Sequence, residues 1–102
     1  LQREQWRQAT NFLNQQNLPV VVKFFEAFAP LKYYQLKSEV ISVYPVMGTT
    51  FPDKFMLIEY LTGLTDPSRN VESKIVELGY KEVSARDFPG VGIIRHYAKF
   101  SN

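Results

Sequence analysis

The chain of 102 residues has no cysteine and only one histidine, His96. Without cysteine it has no disulfide framework, no thiol nucleophile and no thiolate metal site. A Ser-His-Asp triad would have to use His96, and catalytic metal sites commonly use more than one histidine. We therefore expect His96 to be a partly buried strand residue, and a His96→Ala variant to keep its function. The lack of cysteine fits any compartment, so a cytoplasmic location is only the default expectation.

The sequence is also short of net charge, of long apolar runs and of motifs that bind phosphate or metal. Its net charge of +2 is too small to indicate a nucleic-acid or membrane partner. The apolar run from Leu18 to Val22 is far below the length of a transmembrane helix. The ten carboxylates show no Glu-x-x-His or calcium-loop spacing, and the glycines fit neither a Walker nor a dinucleotide motif. These absences predict a protein that is not an enzyme and uses no metal or cofactor.

Apolar and aromatic side chains, by contrast, are abundant. Aromatic residues make up 15% of the chain, which predicts a core built largely from rings. Alternate residues of a strand point to opposite sides of a sheet, and the segment 54–61 is apolar on both sides. One side carries Phe55, Leu57 and Leu61, and the other carries Met56, Ile58 and Tyr60. A small domain must therefore cover both faces of its sheet, either with its own helices or with a partner.

Seven secondary-structure elements are predicted along the chain. They are helices over 2–16 and 19–29, strands over 33–46 and 54–62, a helix that begins at Asp66-Pro67, and strands over 81–86 and 91–100. The first helix has a narrow apolar stripe that includes Trp6 and Phe12. In the second segment the successive valines from Val20 favour a strand, but the spacing of Phe24 and Phe28 favours a helix, which we prefer.

The order of these elements predicts the fold class. Two N-terminal helices followed by ββαββ give a single α+β domain over 1–102, with a four-stranded, mainly antiparallel sheet on which helices pack. Residues 1–17 form either a helix that docks on this core or a peripheral helical arm. Pro89-Gly90 predicts a type II turn between the last two strands. The residues predicted to share one buried core are Phe24, Phe25, Phe28, Val40, Leu57, Ile75, Leu78 and Ile94.

These features predict a protein-interaction module, such as an adaptor, an assembly factor or a chaperone-like subunit. The predicted partner surface is the sheet face that carries Ile41, Val43, Met56, Ile58 and Tyr60. A second chain, either another copy or a different protein, is the preferred cover for this face, and the first helix is the alternative. Trp6 is a second candidate for partner binding, because a tryptophan on a thin apolar stripe suits an interface anchor.

Two alternatives from other functional classes stay open. The last strand places Arg95, Tyr97 and Lys99 on one face, and Tyr33, Gln35 and Lys37 join them if the first strand lies nearby. Cations that alternate with rings are what single-stranded nucleic acid needs, for phosphate contact and for base stacking. The other alternative is a small apolar ligand held between the helices and the sheet.

Overall fold

The computed structural model describes residues 2–23, 28–42, 51–59 and 68–99. The elements in these ranges are α1 Gln2–Gln16, β1 Val20–Val22, α2 Phe28–Tyr33, β2 Val40–Ser42, β3 Lys54–Ile58, α3 Asn70–Glu77, β4 Tyr80–Phe88 and β5 Gly92–Lys99. The strands form one open sheet in the order β2-β1-β3-β5-β4. β1 is parallel to β2 and β3, whereas β5 is antiparallel to β3 and β4. The predicted α+β class is confirmed, but the sheet has five strands and is mixed.

The largest correction concerns the segment predicted to be the second helix. Its first residues form β1, which lies between β2 and β3, with Val21 paired to both Ile41 and Leu57. Val20, Val21 and Val22 are all buried, because an interior strand of a sheet covered on both faces has no solvent side. Such a strand shows no alternating pattern, and three residues are too few for periodicity to separate strand from helix.

The long strand predicted over 33–46 is also wrong in its first half. Helix α2 ends at Tyr33, and the Gln35 and Leu36 amides donate to the Lys32 and Leu31 carbonyls at 3.0 and 2.9 Å. This is a Schellman ending, with Gln35 in the left-handed conformation at a φ of 65°. Among the described residues, β2 covers Val40–Ser42, and it does not form a hairpin with β3 because β1 lies between them.

The predicted C-terminal hairpin is confirmed. β4 and β5 pair antiparallel, and the Val91 amide donates to the Phe88 carbonyl at 2.9 Å across the turn. Gly90 has a φ of 83°, as the third position of a type II turn requires. A β-bulge at Val83 shifts the register between Glu82 and Ser84. As a result, even-numbered residues before the bulge, such as Tyr80, point to the α3 face, whereas those after it, such as Phe88, point to the α1 face.

Two separate cores lie on opposite faces of the sheet. On the α1 face the buried side chains are Trp6, Ala9, Leu13, Val20, Val22, Leu31, Met56, Ile58, Phe88, Val91 and Ile94. On the α3 face they are Val21, Phe51, Phe55, Leu57, Val71, Ile75, Tyr80 and Tyr97. α1 therefore packs on one face of the sheet and α3 on the other.

The predicted single core is accordingly divided. Leu57 and Ile75 are buried on the α3 face, but Ile94 is buried on the α1 face. Val40 is half-buried, and Leu78 is 38% exposed because α3 ends one residue before it. The described residues do not include Phe24 and Phe25, nor the predicted helix start at Asp66-Pro67. For Phe28 the structure describes the backbone but not the side chain.

Candidate functional site

Two charged residues follow directly where two parallel strands end. Lys23 comes after the last residue of β1, and Glu59 comes after the last residue of β3. Because β1 and β3 are parallel, their carboxyl ends meet at the same edge of the sheet. α3 brings Glu72 to this edge. Ligand sites of α/β proteins typically lie at this end of parallel strands, so the chemistry here has to be considered first.

Lys23 and Glu72 form a buried ion pair. The Lys23 Nζ atom lies 2.6 Å from Oε1 and 2.5 Å from Oε2 of Glu72. Their side chains are only 1% and 11% exposed. Desolvating two charges to this extent is costly, and the attraction between them offsets part of that cost.

Two arginines connect this pair to further carboxylates. Arg69 Nη2 lies 2.7 Å from Glu59 Oε2 and 3.1 Å from Glu72 Oε2. Arg95 donates from Nε to Glu59 at 2.8 Å and from Nη1 to Glu82 at 2.6 Å. The ion network, as we name this cluster, consists of Lys23, Glu59, Arg69, Glu72, Arg95 and Glu82. Its three positive and three negative side chains balance each other.

The two buried carboxylates of the ion network have pKa values shifted in opposite directions. Burial and a hydrogen bond with Glu59 raise the pKa of Glu72, in spite of the opposing effect of Lys23. Burial also acts to raise the pKa of Glu59, but hydrogen bonds with Glu72 and Arg95 and the charges of Arg95 and Arg69 outweigh it and lower that pKa. Glu72 therefore takes up a proton before Glu59 does. Such a pair can share a proton. However, its oxygens face the cations Lys23, Arg69 and Arg95 of the same chain. These contacts hold α3 against the sheet, and we call this arrangement a clamp.

Arg69 joins the start of α3 to this cluster from an unusual backbone conformation. It precedes the first residue of α3 in the left-handed conformation, with a φ of 55°, and its side chain makes no capping hydrogen bond. A left-handed conformation is unusual for a residue with a Cβ atom. Its guanidinium, which contacts both Glu59 and Glu72, compensates by tying the start of α3 to the end of β3.

The residues predicted for nucleic-acid binding do not form one exposed patch. The Tyr97 side chain is buried on the α3 face, so it cannot stack on a base, and Arg95 is paired with two carboxylates. Lys99 Nζ lies 5.9 Å from the centre of the Tyr80 ring. Lys37 is exposed on the other side of the sheet, where its backbone amide donates to Asn14 Oδ1 of α1 at 2.8 Å.

The residues predicted for partner binding are also distributed over different places. Met56 and Ile58 are each 1% exposed and lie in the α1-face core together with Trp6. Ile41 is half-buried on the opposite face, because β1 aligns it with Val21 rather than with Met56. Val43 and Tyr60 lie outside the described residues. In this chain, α1 is thus the cover of Met56 and Ile58, the alternative that the sequence also allowed.

An aromatic groove lies beside Trp6, between α1 and α2. It has a volume of about 490 Å³ and is lined by Trp6, Ala29, Pro30, Tyr33 and Tyr34. The Tyr33 side chain is 77% exposed, and its ring packs edge-on against Tyr34 with the centroids 4.8 Å apart. The Arg7 guanidinium lies 5.8 Å from the centre of the Tyr34 ring. The groove thus combines one exposed ring, Tyr33, with a half-buried tyrosine and a nearly buried tryptophan.

Helix geometry explains why these rings meet. Trp6 belongs to the stripe of α1 that packs on the sheet, with Ala9 and Leu13 completely buried below it. Pro30 lies in the first turn of α2, where a missing amide proton is tolerated. α2 buries Leu31 against the same core, which leaves Tyr33 on its outer side.

His96 lies on the α1 face, paired with Met56 of β3. It is half-buried, and its Nε2 atom is buried without a hydrogen-bond partner among the described residues. Burial, together with the charge of Lys54, lowers the pKa of His96. His96 is thus a half-buried strand residue beside the α1-face core.

The comparisons with known proteins give no functional information. No protein-family model, no curated protein and no solved structure matches the chain. Among the described residues, no group of three or more histidine, aspartate or glutamate side chains is placed to hold a metal ion. None of the helices described is both long and apolar enough to cross a membrane.

Both candidate sites contain residues that the sequence analysis did not select. The sequence pattern predicts that Glu72 is an exposed helix residue. Lys23 and Glu59 belong to no recognisable motif. The only local signal is that each of these two charges directly follows an apolar run, Val20–Val22 and Phe55–Ile58. For the aromatic groove the signal is the adjacent tyrosines after Pro30.

Proposed function

We propose that the protein is a non-enzymatic protein-interaction module and that it binds its partner through the aromatic groove. The observation that carries this proposal is Tyr33, whose ring is 77% exposed in a groove that also contains Trp6 and Tyr34. Tryptophan and tyrosine are enriched among residues that dominate binding energy, because they bury a large area and still offer a polar group. Such a groove suits an adaptor, an assembly factor or a chaperone-like subunit.

The groove is a better partner surface than the sheet faces. Among the described residues, the apolar side chains of β1 and β3 are buried on both sheet faces, so they are not accessible to a second protein. Apart from Tyr33, the large apolar side chains exposed in the described part of the chain are Val76, Leu78 and Val83. They are isolated aliphatic groups, and single exposed apolar residues need no functional explanation.

The free edge of β4 is a second surface to consider, because an edge strand can pair with another chain. Two features protect it. The Val83 bulge puts the two halves of β4 out of phase, so a regular partner strand cannot match both. Lys81, Arg86 and Asp87 place exposed charges along the same strand. Bulges and charges are the usual means by which proteins prevent edge-to-edge association.

Selection of peptides from a random display library against the whole chain tests this proposal. The chain contains one tryptophan, Trp6, so the fluorescence of the free protein reports directly on the groove. We expect selected peptides to change this emission and to bind Tyr33→Ala about tenfold more weakly, as for a residue at the centre of an interface.

Val83→Ala is the matched control, because it also truncates an exposed apolar side chain but on the far edge strand. It should bind the same peptides as the wild type does. Selected peptides whose affinity is unchanged by Tyr33→Ala, or a selection that yields no binders, would contradict the proposal.

A further inference from the structure

We infer that the occupant of the aromatic groove is a short, extended, proline-rich segment of a partner protein that carries acidic residues beside its prolines. This inference rests on the proposed function, because it names the chemistry of the segment that the groove binds. Three features of the groove support it: the elements that line it, its small size and aromatic lining, and the charges that flank it.

The lining elements determine which type of peptide backbone can bind. Among the residues that the structure describes, the groove is lined by α1, α2 and the turn that ends α2, and none of these lining residues belongs to a strand that could pair with an added one. The described part of α2, Phe28–Tyr33, is about 9 Å long. A partner helix that binds through several successive turns needs a longer apolar wall than this. An extended peptide that makes its contacts through side chains fits these dimensions better.

The aromatic lining favours proline in such a peptide. The Tyr33 and Tyr34 rings contact each other edge-on, at an interplanar angle of 90°, and line the groove together with Pro30 and Trp6. Flat pyrrolidine rings dock between aromatic side chains, and this is the mode by which polyproline II segments are recognised. A groove of about 490 Å³ contacts few residues of a ligand, so the binding free energy available to offset the entropy lost when the ligand becomes ordered is small. A polyproline II segment is already ordered and loses little entropy on binding.

The charges around the groove favour acidic flanking residues. Arg7 follows Trp6 on α1, is exposed, and holds its guanidinium 5.8 Å from the centre of the Tyr34 ring that lines the groove. Lys32, next to Tyr33 in sequence, is also exposed but lines the neighbouring cavity with Leu36 and Val40. Cations around a docking surface increase the association rate of an acidic segment and disfavour a basic one.

The experiment uses synthetic peptides and the emission of Trp6 in the whole chain. The probe has two glutamates followed by eight prolines; one control peptide replaces the glutamates with lysines, and another is an amphipathic leucine-glutamine helix of equal length. We expect the acidic proline peptide to bind, with affinity that falls about tenfold for Tyr33→Ala and severalfold for Arg7→Gln. We expect the lysine peptide to bind more weakly, and the difference between the two to diminish at high salt.

The outcomes separate this inference from the proposed function. Preferential binding of the helical peptide, with loss in Tyr33→Ala, would overturn the inference and leave the groove as a docking site. Equal binding of the acidic and lysine peptides would overturn the acidic part. Emission changes produced by a small apolar probe such as 1-naphthol, but by no peptide, would contradict both and indicate a ligand pocket. Tyr33→Phe, which keeps the ring, should retain most of the affinity for the acidic proline peptide.

Discussion

The two faces of the sheet are buried by different means. On the α1 face, a helix of 15 residues lays a continuous apolar stripe over aliphatic strand residues such as Met56 and Ile58. On the α3 face, the helix has only eight residues, and stacked or edge-on rings supply much of the cover. Phe55 lies at the centre of these rings, with centroids 5.2, 5.3 and 5.6 Å from those of Phe51, Tyr80 and Tyr97.

The difference extends to polar interactions. The α3 side carries the ion network, in which Glu59 and Glu72 are held by one lysine and two arginines. A short helix buries too little apolar area to fix its own position, and directional contacts compensate for this. The α1 face thus depends mainly on apolar area, whereas the α3 face depends more on packed rings and paired charges. Substitutions on the two faces should therefore fail in different ways.

The largest expected effect is on the α1 face. Ile58→Asp places an unpaired carboxylate under α1, where the native side chain is 1% exposed. Burial of an unpaired charge costs several kcal/mol, a large part of the stability of a small domain. We expect loss of the cooperative thermal transition in circular dichroism. Val83→Asp, on an exposed strand position, should change stability by about 0.5 kcal/mol or less.

A folded Ile58→Asp variant would have a different meaning. If it kept its secondary structure and light scattering showed a change from dimer to monomer, α1 would not be the permanent cover of this face. The partner surface would then be the one that the sequence favours, at Met56 and Ile58.

The next largest effect is on the ion network. Lys23→Met removes the cation from Glu72 at a site where the lysine side chain is 1% exposed. Breaking a buried pair from one side costs about 3–5 kcal/mol, and because Arg69 still contacts Glu72 at 3.1 Å we expect a fall in the urea midpoint that corresponds to the lower end of this range. Because the pKa of Glu72 is already raised, the loss should be smaller at acidic pH, where this carboxyl is protonated.

The double variant Lys23→Met/Glu72→Leu provides the control for this pair. Replacing both charges with apolar groups of similar size is often close to neutral, so we expect it to recover most of the stability lost in Lys23→Met. Simple additivity of the two single losses would show that the two side chains act independently, and the ion network would not be a clamp.

The sequence predicts well those elements that carry their own local signal. Pro89-Gly90 is sufficient to place the turn between β4 and β5, and Val71 and Ile75 identify the buried side of α3. β1 gives no such signal, since Val20 and Val21 face opposite cores and are equally apolar. Once β1 is mistaken for a helix, the pairing of the other strands cannot be derived correctly.

The candidate sites are harder to predict than the elements. Lys23 and Glu72 are 49 positions apart and meet only because β1 and β3 are parallel and α3 lies over their carboxyl ends. Ile41 shows the same dependence on topology. It is correctly predicted to lie in a strand, but β1 lies between this strand and β3, and the register of β1 places Ile41 on the α3 face instead of the face of Met56 and Ile58. Register and strand order are properties of the whole sheet, and no single segment encodes them.

A smaller effect is expected for a hydroxyl group on the α3 face. The Tyr80 hydroxyl lies 2.9 Å from the Phe51 carbonyl and 2.8 Å from the Pro52 carbonyl, to which it donates. Tyr80→Phe keeps the ring against Phe55 but removes this donor, and the expected loss is about 1 kcal/mol. Urea denaturation measures it. Tyr33→Phe, at an exposed ring, should leave the midpoint unchanged, and equal losses in both variants would contradict the role of the buried hydrogen bond.

The smallest effect is the pH response of the α1 face. Burial and Lys54 lower the pKa of His96, so the unfolded chain binds a proton more readily than the folded one. Stability should therefore decrease as the pH falls through the pKa of histidine in the unfolded chain, about 6.5.

The variant His96→Gln removes this group, and its unfolding midpoint should decrease less than that of the wild type between pH 7.5 and pH 5.5. Glu72, whose raised pKa acts in the opposite sense, is present in both proteins, so the difference between their profiles isolates His96. Parallel profiles would mean that the histidine stays accessible to protons in the folded chain, and the α1 face would then be less completely closed than the α3 face.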